Sequence, residues 1–170
     1  TLTTDAQGRV TYTFYPPEIG GLYTIAATYA GTIRGTDTVH VGLPFNELLA
    51  SAHDTLIGEN ADRHPRNHFA TSEMIRDLEE LADTLFAVTG HKLLINDESL
   101  EGGGLFDING QWARPHCTHR DGRSADVRTN VALGVAREDS LLITRWWTRT
   151  FGAGTAQPEA RPPHTHLQSP

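Results

Sequence analysis

Hydrophobic and polar positions along the chain change their period near Leu43-Pro44. Before that point apolar residues tend to alternate with polar ones, the period-two signature of strands. Val10, Tyr12 and Phe14 fall on one face of a strand predicted over 9–15. Pro16-Pro17 and Gly20-Gly21 then punctuate a turn, and 22–29 and 36–41 read as two more strands. After Leu43 the spacing lengthens. Met74, Ile75, Leu78, Leu81, Leu85 and Val88 recur three or four apart and predict a helix over 71–89. Thr71 or Ser72 can cap it, Glu73 suits its positive N-terminus, and Gly90 can end it.

The remaining segments alternate between the two periods. A short helix is expected within 45–56. Leu93-Leu94-Ile95 reads as a buried strand, 96–107 as a loop containing Gly102-Gly103-Gly104, and 124–128 as a short strand. Over 140–150, Ile143 and Trp147, with Phe151 just beyond, repeat at helical spacing before Gly152. A strand stays open there, because Thr and Trp also favour strands. Residues 158–163 read as irregular and 164–167 as a final strand. The pattern defines an α+β chain in two parts. A β-rich segment covers 1–43, and an α+β domain covers 44–170.

Composition narrows this picture little. The 170 residues suffice for one good core. A formal net charge of −7 argues against nucleic acid as a partner, since phosphate binding wants a basic footprint. No apolar run approaches the length of a membrane span. The single cysteine, Cys117, excludes an internal disulfide and any multi-cysteine metal site. The chain opens on Thr1 rather than methionine, as an excised piece of a longer protein would, and an export signal would then lie outside it.

Candidate chemistry gathers in two clusters, Pro115-His116-Cys117-Thr118-His119 running on to Asp126, and Pro163-His164-Thr165-His166. His164 and His166 project from one strand face, because residues two apart share a side. His119 and Asp126 are seven apart, enough for a turn through Gly122 and a return strand. Two imidazoles and one carboxylate suit zinc; His119, Asp126 and His166 would fill three of four tetrahedral positions and leave one for water. His116 and His164 are placed to orient ligands or hydrogen-bond that water. An incidental meeting of a histidine-rich loop and a frayed tail is the other reading of the same pattern. His64-Pro65-Arg66-Asn67-His68 reads as a polar loop before the helix. Trp112 suits either a groove wall or packing, and Trp146-Trp147 suit the core. Gly102-Gly103-Gly104 lacks the Lys-Ser/Thr of a phosphate loop, and His119-Arg120-Asp121 stands without the other kinase signatures.

Two resemblances add to this. The run Thr4-Asp5-Ala6-Gln7-Gly8-Arg9-Val10-Thr11-Tyr12-Thr13-Phe14, with Gly21-Leu22-Tyr23-Thr24-Ile25-Ala26-Ala27, resembles the C-terminal half of a bacterial Ig-like repeat. His119-x6-Asp126 with the distal His164-x-His166 resembles the zinc peptidase group of lysostaphin-type endopeptidases, D-alanyl-D-alanine peptidases and the hedgehog domain. The closer similarity is to penicillin-insensitive murein endopeptidases, through Ser99-Leu100, Gly102-Gly103-Gly104, His116, His119, Gly122 and Asp126. The resemblance covers roughly 43–170. It implies zinc held by His119, Asp126 and His166, with His164 and His116 beside it, and a small antiparallel sheet carrying the ligands with flanking helices. It also implies a peptide substrate from bacterial peptidoglycan and a secreted, periplasmic or cell-surface setting. The D-alanyl-D-alanine enzymes carry a catalytic glutamate three residues before the last zinc histidine, where this chain has Pro163. Glu159, His164 and His116 are therefore the candidates for general base, with His116, Arg114 and Arg123 as candidate oxyanion donors. The expected reaction is zinc-assisted amide hydrolysis. The alternatives are a zinc-containing binding module that has lost catalysis and a purely structural surface module.

Overall fold

The helix predicted over 71–89 forms as α1, Ser72–Thr89, in a computed structural model that describes residues 2–16, 20–58, 66–104, 117–129, 135–160 and 163–170. Its caps follow the sequence. The Thr71 side chain accepts from the Met74 backbone N–H, and Gly90 adopts φ 73° while its own N–H donates to Phe86 O. Met74, Leu78, Leu81, Ala82 and Leu85 are buried, whereas Val88, at the far end of the expected stripe, is exposed.

The other elements arrange around this helix. A hairpin of β1, Gly21–Tyr29, and β2, Thr32–Val41, stands apart from the main sheet. A two-residue strand β3, Asn46–Glu47, pairs with β5, Phe69–Ala70. The main sheet combines β4, Asp54–Leu56, β6, Leu93–Asp97, β7, Ser124–Arg128, β8, Ala156–Ala160, and β9, Pro163–Gln168, in the order β4-β6-β7-β9-β8. A second helix, α2, covers Arg137–Phe151, which settles the choice between helix and strand there.

β7 and β9 pair in unbroken register and alternate between the two faces of the sheet, while β6 meets β7 with an irregularity between Ile95 and Asp97. Leu93, Ile95, Ala125, Val127 and Leu167 are fully buried against Leu78, Leu81 and Leu85 of α1 and Ile143 and Trp147 of α2. Both helices thus contribute to one core on one face of the sheet. Trp147 is fully enclosed and its indole N–H donates to Gln168 O at 3.1 Å, whereas Trp146 is half-buried. Asp126 and His166 occupy the intervening positions, so the period of two that buries Val127 turns them to the opposite face.

Four expectations are corrected. The sheet is antiparallel except for its β4–β6 edge, which is parallel. No strand forms over 9–15; Val10 and Tyr12 are exposed, and Asp5 Oδ1 instead accepts from the backbone of Gln7 and Arg9, closing a local turn. No helix forms within 45–56, where Asp54 draws hydrogen bonds from both the backbone and hydroxyl of Ser51 and Leu48 N donates to His68 O. Residues 156–160, in part expected to be irregular, form β8.

The hairpin meets the second part of the chain at the glycine triplet. Gly20 N donates to Gly103 O and Leu43 N to Gly102 O. A Cβ on Gly20 or Gly42 would fall within 3 Å of the Gly102 backbone, so these contacts admit no side chain.

Glu98 is the unexpected buried group. It has no exposed surface, and neither carboxyl oxygen has a hydrogen-bond partner among the described residues. Burial, reinforced by repulsion from Asp54, pushes its pKa up to about 8. A carboxyl raised in the folded state favours folding below its unfolded value near 4.5 and loses that advantage as pH climbs toward 8. Wild-type unfolding free energy should therefore fall between about pH 5 and 8 relative to Glu98→Gln, by on the order of 3 kcal/mol at pH 7. Parallel urea titrations across that range check it; identical pH profiles for the two proteins would refute the assignment.

Candidate metal centre

A short 3-10 helix, Cys117–Asp121, and the strands β7 and β9 deliver the candidate ligands. The 3-10 turn is pinned from both sides. The Ser99 hydroxyl donates to His119 O, and Gly104 N donates to Arg120 O at 3.2 Å. Gly122 ends the turn at φ 69°, and a Cβ there would fall 2.7 Å from the Phe45 ring. A Cβ on Gly103 would equally collide with Arg120 O at 2.7 Å. The Ser-Leu and glycine stretch that precedes the cluster in sequence therefore acts as the floor on which His119 is set.

β7 then returns antiparallel to β9 with Asp126 directly opposite His166 and Arg128 opposite His164. This register brings three imidazoles onto one carboxylate. Asp126 Oδ1 lies 2.9 Å from His166 Nδ1 and 3.3 Å from His119 Nε2, while Oδ2 lies 3.3 Å from His164 Nε2. The His119 and His166 rings meet edge-on with centroids 5.1 Å apart. All four residues are buried. Burial pushes the Asp126 carboxyl up, but hydrogen bonds to His119 and His166 and the charges of His119 and His164 outweigh it and hold the group below the usual carboxylate range.

His119, Asp126 and His166 form a group that could hold a metal ion, with one ligand atom from each lying within 4.8 Å of the others. The donor set fits zinc on two counts. Ligand bonds of about 2.0–2.1 Å in a tetrahedral shell place neighbouring donors about 3.3 Å apart, the separation between Asp126 Oδ1 and His119 Nε2. His166 Nε2 is buried and has no hydrogen-bond partner among the described residues, as a nitrogen reserved for another ligand would.

The other candidates divide. His164 joins the group through the second oxygen of Asp126. Glu159 lies on β8, at the register position opposite His164. Pro163 opens β9. His116, Arg114 and Trp112 lie outside the described residues. Arg123 is exposed and donates to Pro170 O at 2.7 Å, so it does not serve the cluster. In the segment expected to be a polar loop, Arg66 is exposed but Asn67 and His68 are buried. Asn67 donates to Asp97 Oδ1 at 2.6 Å, and His68 Nε2 lies 3.2 Å from Ile57 O. Sequence reasoning also passed over Arg128, although its spacing of two from Asp126 sets it on the ligand face.

No protein-family model matches the chain, and no curated protein sequence matches it. No helix among the described residues is long and apolar enough to cross a membrane.

Zinc binding to the folded chain alone must raise the melting temperature. At about a hundredfold excess over Kd the gain is about 2.7 kcal/mol, or roughly 5–10 °C for a chain of this length. His119→Ala, Asp126→Ala and His166→Ala should each abolish the shift in thermal melts with and without zinc, while Glu159→Gln keeps it. A triple alanine variant that still gained stability from zinc would overturn the ligand assignment.

Proposed function

We propose that the chain is a zinc-dependent peptidase acting on amide bonds of bacterial peptidoglycan peptides. The observation that carries this reading is the buried convergence of His119, His166 and His164 on Asp126. The similarity of Ser99-Leu100, the glycine triplet, His119, Gly122, Asp126 and His164-x-His166 to murein endopeptidases supplies the substrate class. That similarity also supports an extracellular or periplasmic setting, and the separate resemblance of Thr4–Phe14 and Gly21–Ala27 to an Ig-like repeat supports an Ig-like origin for the hairpin of β1 and β2.

In this reading His119, Asp126 and His166 hold the zinc. Three protein ligands leave the fourth position open, the arrangement of a catalytic rather than a structural site. Bound zinc supplies Lewis acidity toward the amide carbonyl and brings the pKa of water near neutrality. The chain's own residues do the rest. Asp126 divides its work between its two oxygens, one beside the ligand imidazoles and one fixing His164. His164, so oriented, takes a proton during attack and returns one to the leaving amine. Glu159, opposite His164 in the strand register, is the second candidate for that role. A base at either position would replace the glutamate absent at Pro163.

Purified zinc-loaded protein incubated with muropeptides should release new amino termini, and a chelator should stop the release until zinc is restored. His164→Gln should lower kcat by about a hundredfold or more with zinc retained, the usual scale for losing a general base. If Glu159→Gln alone has that effect, the base is Glu159. One zinc per chain with no cleavage of any muropeptide would overturn the peptidase reading and leave a zinc-containing binding module.

A further inference from the structure

A groove of about 620 Å³ runs between α1 and α2, on the side of the sheet opposite the candidate ligands. Its floor is largely apolar, with Leu141, Leu142 and Trp146 of α2 beside Thr84 of α1. Large apolar side chains stand open along it. Leu141 is 47% exposed, and Val88, one turn beyond Thr84 on the same stripe, is 66% exposed. The rims carry opposite charge. Arg145 and Arg149 line the α2 side, both exposed and without an ion pair among the described residues. Glu80, one turn before Thr84, is exposed on the α1 side and likewise makes no ion pair among the described residues.

Two contacts fix how the helices run. His91, just past the end of α1, lies 2.8 Å from Asp139 in the first turn of α2. Towards the opposite ends, Asp77 of α1 accepts from the Ser169 hydroxyl while Trp147 of α2 donates to Gln168 O, next along the chain. The helices are therefore antiparallel. Each rises about 1.5 Å per residue, so counting from the His91–Asp139 pair sets Trp146 level with Thr84, Leu141 with Val88 and Thr89, and Arg149 with Glu80 and Leu81. Trp146 and Thr84 do line the groove together, as this count requires. Turning a second copy by half a revolution about the groove axis exchanges the two rims and keeps every level. Leu141 then covers the partner's Val88, and Arg149 faces the partner's Glu80. The surface is complementary to itself, the condition for an isologous two-fold contact.

We propose that the chain forms a two-fold dimer through this groove, with α1 of each copy laid against α2 of the other. Helices of 18 and 15 residues are about 27 and 22 Å long and about 10 Å wide, so each copy offers on the order of 500 Å². The total of roughly 1,000 Å² lies at the lower bound for a specific contact and corresponds to a reversible dimer. Other partners answer only one rim. An anionic membrane or an acidic chain would suit Arg145 and Arg149 but meet repulsion from the exposed acids of α1, Glu79, Glu80 and Asp83. The candidate metal centres lie on the far faces of the two sheets, so both stay open in the dimer. The inference stands independently of the peptidase reading.

Sedimentation velocity of the purified chain, from micromolar to submillimolar concentration, tests it. The average mass should climb from 18.7 kDa toward twice that value, and added salt should lower it. Arg149→Glu and Glu80→Arg each set like charges opposite one another at two symmetric places, and each should raise the dimer Kd by about tenfold or more. An equimolar mixture of the two variants should associate as the wild type does, because each chain supplies the charge that the other lacks. Both positions are exposed, and circular dichroism confirms that the variants fold. Should either fail to fold, Leu141→Asp must weaken association through the same surface. A mass of 18.7 kDa at every concentration, or a mixture no tighter than its components, overturns the proposal. So does a dimer that both charge variants retain, which would set the contact elsewhere, as on the exposed hairpin of β1 and β2.

Discussion

The site depends on one buried carboxylate. Asp126 lies in the middle of the sheet with about 1% of its surface exposed, and removing such a charge from water costs several kcal/mol unless partners compensate. Three imidazoles provide that compensation, from two places in the chain. His119 comes from a turn, and His164 and His166 come from the last strand. Removing a hydrogen-bonding partner from a buried charge leaves it under-compensated, so the histidines and Asp126 are tied together by stability even before a metal is considered. A bound cation would replace part of this mutual compensation.

The rest of the structure serves to hold that register. The core built by α1 and α2 fixes one face of the sheet, and strict alternation then leaves the other face to Asp126, Arg128, His164 and His166. A slip of one residue in β7 against β9 would turn every one of these side chains into the core. On the other side, Gly103 and Gly122 approach Arg120 and Phe45 so closely that no side chain fits, which anchors the turn bearing His119.

Where hydrophobic periodicity was strong, the chain declared its structure. α1 with its Thr71 and Gly90 caps, β7 over 124–128 and most of β9 were legible, and the spacing of His119, Asp126 and His166 identified the residues that meet. Failures came where local sequence speaks weakly. β8 contains Pro158, which lacks an N–H, and reads as irregular; it is tolerated because β8 is the edge of the sheet. Residues 9–15 alternate as a strand should, but alternation without a partner strand does not make one. β4 is three residues long, too short for any period to show, and its parallel pairing to β6 is a tertiary property. The buried Glu98 and the Arg128–Asn96 contact have no signature in a single sequence, because each depends on what the fold places around it.

X-ray absorption at the zinc edge, with zinc stoichiometry measured on the same sample, decides whether His119, Asp126 and His166 hold the metal. The expected result is one zinc per chain, bound by two imidazole nitrogens and carboxylate oxygen at about 2.0–2.2 Å, with a remaining light-atom ligand. A protein that retains no zinc, or a zinc bound by the Cys117 sulfur at about 2.3 Å, would contradict it.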